Sequence, residues 1–234
     1  MAIPTSAKAE RVPWGLVILL FFAMWISFFD RGNLAVAAPV LAPELGLSPV
    51  ALGLLLSGFF WTYAAGQLGG AWLVDRIEVR WAYAAGFLLW SLATLSTAAV
   101  STFSALLCMR LLLGAGEAVA YPASSRIVAA VVPEHRRGLA NSVIDLGARL
   151  GPALGILVGA RLVDKLGWRG LFVITGGAGL LWLIPWLARA PRVLTPVAAG
   201  AGAAGPGWRE LLRRRDVWGT CGGLGCANYA WYFL

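Results

Sequence analysis

Asp30 and Arg31 close an apolar run that starts at Val12, and Arg110 and Glu117 lie inside another apolar run. An ionised side chain at mid-bilayer costs about 2.5 to 3.5 kcal/mol on insertion scales, so four of them are expected to face a polar cavity between helices and not lipid. Arg110 and Glu117 are seven residues apart, nearly two helical turns, which places them on one face about 10 Å apart along the axis. A guanidinium on its flexible stem can then approach the carboxylate or leave it for a ligand. Asp30 and Arg31 diverge by about 100°, so both are useful only if a crevice wraps that part of the helix. Burial favours the neutral form of a carboxylate and a neighbouring arginine favours the ionised one, a competition that suits reversible protonation. Arginine also binds a planar carboxylate through two parallel hydrogen bonds. Tyr63, Gln67, Tyr121 and Asn141 are candidates for uncharged hydrogen-bonding groups in the same cavity. The competing reading is structural: fixed ion pairs that lock helices together, Arg110 with Glu117 and Asp145 with Arg149.

The elements that must hold these groups are membrane spans. The chain is 59% hydrophobic and 13% charged, whereas a soluble domain is about a quarter charged. Charge-poor stretches run over residues 13–36, 49–74, 81–100, 103–128, 139–163 and 168–188, and a seventh starts at 217. About 20 residues at about 1.5 Å each cross a ~30 Å hydrocarbon layer. The first run lacks a small-residue cleavage site after a short core and is read as an uncleaved first helix. The net charge of +8 is distributed by side: Lys8, Arg11, Arg76, Arg80, His135, Arg136, Arg137, Arg189, Arg192, Arg209 and Arg213 to Arg215 fall on one side, chiefly Lys165 and Arg169 on the other. By the positive-inside rule the N-terminus and the long loop before the seventh span are cytoplasmic. The Arg213 to Arg215 run is read as an orienting, headgroup-binding cluster and not as a nucleic-acid site. Trp14, Trp81, Trp168, Trp186 and Trp218 sit near span ends, as interfacial anchors would. Cys108, Cys221 and Cys226 form neither a disulfide framework nor a metal-ligand spacing. No nucleophile, base and orienting group recur together, so no catalytic residues, metal or cofactor are assigned and an enzyme is not expected.

The chain repeats itself. Ala71 to Arg80 aligns with Ala160 to Arg169 at a shift of 89 residues, matching Asp75 with Asp164 and Arg76 with Lys165, and the same shift carries Gly58, Gly66 and Gly70 onto Gly147, Gly155 and Gly159. Three spans separate the copies, so the repeat has inverted topology in the membrane. Gly147, Gly151, Gly155 and Gly159 form a side-chain-free stripe that a neighbouring helix can approach closely, with Gly66, Gly70 and Gly114 doing the same elsewhere. Pro152 removes one helix hydrogen bond within the stripe and permits a bend. Static packing and motion explain these residues equally well.

Arg110-Leu111-Leu112-Leu113-Gly114-Ala115-Gly116-Glu117 resembles the fourth-helix signature of the major facilitator superfamily, and Asp75-Arg76 stands where that superfamily has its loop signature. Asp30-Arg31-Gly32-Asn33-Leu34, the stretch from Glu117 to Pro122, and Gly167-Trp168-Arg169 resemble the anion:cation symporter family of sugar-acid and other organic-anion carriers. The resemblance implies alternating access with a small organic anion and a proton as partners. It makes Asp30 and Glu117 proton-coupling sites, and Arg31 and Arg110 contacts of the substrate or holders of Glu117. Tyr63 and Gln67 become substrate-facing, and Asp75, Arg76 and Arg80 parts of a cytoplasmic gate. Three departures stand out: Ala71 and Glu78 replace glycines of the loop signature, and Phe29 replaces the tyrosine usual before the Asp-Arg pair.

The expected architecture is an all-α membrane protein: a cytoplasmic segment 1–12, a six-helix domain 13–189 of two inverted three-helix repeats, a linker 190–216 and the start of a seventh helix 217–234. The resemblance makes this the N-terminal half of a carrier, missing its C-terminal six-helix partner. The excess of Arg over Lys and the high Ala and Gly content suit a bacterial inner membrane. The readings left open are a proton-coupled anion symporter, an organic-anion exchanger or drug antiporter, and a truncated non-transporting protein whose charges are structural.

Overall fold

Helix boundaries follow local chemistry. In a computed structural model that describes residues 12–191 and 208–233, all the regular structure is helical. Helix α1 (Trp14–Glu44) runs beyond the expected end at residue 36, through Pro39 and Pro43. It stops where Gly46 takes a left-handed φ of 60°, which lets Leu47 N–H bond Ala42 O at 2.9 Å and Gly46 N–H bond Pro43 O at 3.3 Å. Those two bonds satisfy carbonyls that a helix end leaves free. Helix α2 (Pro49–Arg76) begins with Ser48, whose hydroxyl accepts from Ala51 N–H at 3.2 Å, and with a proline in the first turn. Helix α3 (Val79–Thr97) follows a two-residue turn. Helix α4 (Phe103–Glu117) is capped by Thr102, and helix α5 (Ala120–Val131) continues the same span after a brief interruption. Pro122 cannot donate to Ala118 O and its ring crowds that carbonyl, which accounts for the break. Gly70 of α2 faces Ala118 O, where an added Cβ would lie 2.8 Å from it.

A 3₁₀ turn, Glu134–Arg136, holds His135 and leads into α6 (Arg137–Arg189). Arg137 donates to Ala129 O at 2.7 Å and Val132 O at 3.2 Å, capping the end of α5. Spans five and six are joined within α6 by one residue, Gly167, at φ 70° and ψ 172°. That is a positive-φ, extended conformation essentially confined to glycine. The helix continues through Pro152 with helical φ/ψ.

In the unit containing residues 12–191, α1 packs on α6, α2 on α4, and α3 on both α4 and α6. The 89-residue repeat is a symmetry of this packing. Adding 89 to one partner and subtracting it from the other carries Gly58 facing Arg110 onto Gly147 facing Phe21. It likewise carries Thr62 facing Gly114 onto Trp25 facing Gly151, and Gly66 facing Ala118 onto Gly155 facing Phe29. The first half of α6 therefore lies on α1 as α2 lies on α4 and α5.

Two of the five expected interfacial tryptophans are core residues. Trp168 and Trp186 are buried, with indole N–H groups bonded to Glu44 at 2.8 Å and to Arg80 O at 3.1 Å, while Trp14, Trp81 and Trp218 are exposed. The N–H pulls the ring toward a protein acceptor, and Trp186 stacks into an aromatic column with Trp182, Tyr83 and Phe87. In the second unit, α7 (Trp208–Arg213) precedes α8 (Arg215–Phe233), which holds Cys221, Cys226, Asn228 and Tyr229. Lys8, Arg11, Arg192 and the linker stretch from Thr195 to Gly207 lie outside the described residues.

Candidate functional site

α1 delivers two sets of groups to its neighbours. Ser27 and Arg31, four apart, share one face and meet Glu117 of α4: Ser27 Oγ–H and Arg31 Nε–H both donate to Glu117 Oε2, each at 2.7 Å. Asp30 points to another side. Its Oδ1 accepts from Asn33 Nδ2 at 3.1 Å, and Asn33 also donates to Thr175 Oγ1 of α6 at 2.9 Å. Thr175 Oγ1–H in turn donates to Leu171 O at 3.0 Å. The amide of Asn33 thus ties a carboxylate of α1 to the second half of α6. Each carboxylate keeps one buried oxygen with no hydrogen-bond partner, Asp30 Oδ2 and Glu117 Oε1.

The arginines differ in surroundings. The guanidinium of Arg31 lies 4.1 Å from the ring centre of Phe28, 4.4 Å from that of Tyr63 and 5.0 Å from that of Phe59. Rings within about 6 Å attract a cation through their quadrupoles. Its Nη2 is buried and donates to no partner. Arg110 does not pair with Glu117 as its spacing allowed. Among the described residues it makes no hydrogen bond or salt bridge, although it stands near the ring of Phe172 at 5.9 Å and acts electrostatically on Asp30 and Glu117. Arg31 of α1, and not Arg110, is the arginine at hydrogen-bond distance of Glu117, on Oε2, while Oε1 has no partner. Asp30, Arg110 and Glu117 are 1%, 4% and 0% exposed, while the Arg31 side chain keeps 11%. Of the four charges expected to line a cavity, three are enclosed within the helix bundle and Arg31 reaches its surface.

The other candidates distribute as follows. Tyr63 and Tyr121 are half-buried and pack against the core around this cluster. Gln67 is half-buried on α2 and Asn141 is exposed on α6, and among the described residues neither makes a hydrogen bond. Phe29, in place of the family tyrosine, faces the bare Gly155 and not the charges. Gly114 lies against Phe59 and Tyr63, and Gly151 against Phe28 and Trp25, so glycines bring together the very turns that carry the aromatic rings around Arg31. Gly159 faces Val36. At the end of the bundle where α2 turns into α3, Asp75 pairs with Arg126 at 3.0 Å, Arg76 lies over Trp72 at 4.3 Å, and Arg80 donates to Leu187 O. Arg126 was not singled out by its sequence position. At the opposite end Glu44 accepts from Arg169 and from Trp168, and Arg169 reaches Ser101 Oγ at 3.2 Å. The donors Arg169 first and Trp168 second hold the Glu44 carboxyl below the usual carboxylate range. Among the described residues no cluster could hold a metal ion.

Ser27, Asn33, Phe28, Phe59 and Thr175 were missed by sequence reasoning. A signal existed for two of them: Ser27 is four residues before Arg31 and Asn33 three after Asp30, the spacings that share a helix face.

A family model described as Major Facilitator Superfamily matches residues 20–234. The probable galactarate/D-glucarate transporter GudP of Bacillus subtilis is 32% identical over 192 residues, covering 80% of this chain and 42% of its own. The D-galactonate transporter of Escherichia coli O6:H1 is 28% identical over 260 residues, covering all of this chain and 60% of its own. The chain spans about half the length of the curated relatives it matches. Among solved structures, a bacterial homologue of the human lysosomal transporter Spinster, in an inward-facing and occupied conformation, superposes with a TM-score of 0.73 at 22% identity, over 80% of this chain and 46% of that one. The all-α architecture is thus a partial transporter fold, and the relatives are transporters and not enzymes.

Proposed function

The chain belongs to the Major Facilitator Superfamily, and from that premise we propose that it is the N-terminal half of a proton-coupled carrier of a small organic anion, a sugar acid or similar carboxylate. The observation that carries the reading is the buried pair of Arg31 Nε and Glu117 Oε2 at 2.7 Å, flanked by aromatic rings and partly open only at the arginine. While Glu117 is ionised it neutralises Arg31. A proton on Glu117 cancels that charge, and the guanidinium then carries a net positive charge that an organic anion can compensate. Proton and anion are thereby taken up together, as symport requires. The names of similar proteins, which refer to galactarate, glucarate, galactonate and sulfoacetate, support this substrate class.

In this reading Asp30 and Glu117 are the proton sites. Arg31, Arg110, Tyr63, Gln67, Tyr121 and Asn141 face the substrate during the cycle, and Asp75, Arg76 and Arg80 act at the cytoplasmic gate. The six-helix domain covers residues 13–189, the linker 190–216, and a second six-helix half completes the central site in a bacterial inner membrane with the N-terminus inside. The test is uptake of labelled galactonate or glucarate into proteoliposomes by the full-length transporter carrying this half. An inside-alkaline gradient should drive accumulation, and Glu117→Gln should abolish that response while anion counterflow persists. Accumulation that ignores the pH gradient would sink the proton role, and dependence on an imposed sodium gradient would reassign the coupling ion.

A further inference from the structure

Ser27 is a residue to which neither the family resemblance nor the spacing of the four charges gave a part. It is fully buried, and its hydroxyl is spent on one atom, Glu117 Oε2, at 2.7 Å. Arg31 Nε donates to that same oxygen at 2.7 Å. The other oxygen, Oε1, is buried with no hydrogen-bond partner. The remaining charged or titratable groups near this carboxyl are Arg110, Asp30 and Tyr83, none of which bonds to it among the described residues.

A carboxyl group has two oxygens that are equivalent only in a symmetric environment. Here one of them faces two donors. A proton placed on Oε2 would point an O–H at Arg31, which has no lone pair to offer, and would displace the Arg31 or Ser27 hydrogen from the oxygen it occupies. A proton placed on Oε1 disturbs neither bond. We propose that Ser27 is a positioning residue: with Arg31 it fixes Glu117 so that the proton binds at Oε1, while Oε2 remains the carbonyl oxygen and keeps its donors. The step balances simply. A lone pair of Oε1 forms the new O–H bond, the C–Oε2 bond takes up the double-bond character, and the proton arrives from and returns to water with no other bond broken. The hydroxyl of Ser27 has a second consequence. When the Arg31 head turns to an anion, Ser27 is the donor that remains on Oε2, so the carboxyl keeps its orientation between the two states of the pair. The inference rests on the proposal that Glu117 exchanges a proton.

The difference between the two oxygens can be read by infrared spectroscopy of the full-length transporter carrying this half, in phosphatidylcholine vesicles. The carbonyl stretch of protonated Glu117 is identified as the band in the carboxylic-acid region that shifts in heavy water and disappears in Glu117→Gln. With the proton on Oε1 the carbonyl oxygen is Oε2, so Ser27→Ala removes a hydrogen bond from it and the band moves to higher wavenumber. Ser27→Cys, a near-isosteric variant with a weak S–H donor, should give a smaller shift in the same direction. A band that stays in place in both folded variants would overturn the assignment, because a carbonyl at Oε1 has no donor to lose. If no band depends on Glu117 at any pH at which the protein stays folded, the proton-site reading itself fails and the inference falls with it.

Discussion

Arg31 is held at both ends of its chemistry: Nε is committed to Glu117 and the guanidinium plane is flanked by Phe28, Tyr63 and Phe59. A lysine would keep the charge but lose the planar head that bonds through Nε and stacks on rings, interactions worth about 0.5 to 2 kcal/mol at such sites. Arg31→Lys should therefore raise the KM for anion uptake by about tenfold, read in the proteoliposome assay, and Phe28→Leu should do so by a smaller factor. An unchanged KM in both would remove Arg31 from the anion path. The four charges themselves were legible from their cost in an apolar run. Their pairing was not, because a one-dimensional spacing reports only partners on the same helix, and Glu117 finds its partners 86 and 90 residues away on α1.

Between elements, glycines set how near two helices come. A side chain at Gly151 would meet Phe28 Cβ at 2.7 Å and Trp25 O at 2.9 Å, whereas at Gly155 the nearest atom, on the Phe29 ring, is 3.6 Å away. Gly151→Val should cost about 1 to 3 kcal/mol through overpacking and lower the thermal midpoint in detergent, while Gly155→Ala should leave it nearly unchanged. The stripe was readable from its period of four; that it seats α1, and that its members differ in tolerance, depends on the side chains opposite. The second device between elements is the junction of Glu44, Trp168 and Arg169. Because the folded Glu44 carboxyl is held low, its contribution is present above the unfolded value and is lost as the pH falls through the folded one. Thermal melts of the wild type should thus lose a small increment below the usual carboxylate range, small because the pair is half exposed. Glu44→Gln should lack that increment already at neutral pH and melt with less pH dependence in the same window.

At the scale of the molecule, the membrane class, the helical architecture and the inverted repeat could all be read in the chain, since each is a periodic or compositional property that accumulates over many residues. Helix ends were less legible: α1 passes through Pro39 and Pro43, both on its exposed side, and spans five and six are not separated by any loop. The inverted arrangement makes a topological prediction. With Cys108, Cys221 and Cys226 replaced, a cysteine at His135 should be labelled by a membrane-impermeant maleimide only from the cytoplasmic side, and one at Lys165 only from the opposite side. Labelling of both from one side would undo the repeat. The single-residue junction at Gly167 also sets how the chain can vary in length. An extra residue beside His135 enters a turn, where slack can absorb it. An extra residue beside Gly167 would rotate everything after it by about 100°, carrying Trp168 away from Glu44 and Thr175 away from Asn33. Length changes there are read out some distance away, at the contact of Asn33 with Asp30 and Thr175, so insertions at 135 should be silent where insertions at 167 are not.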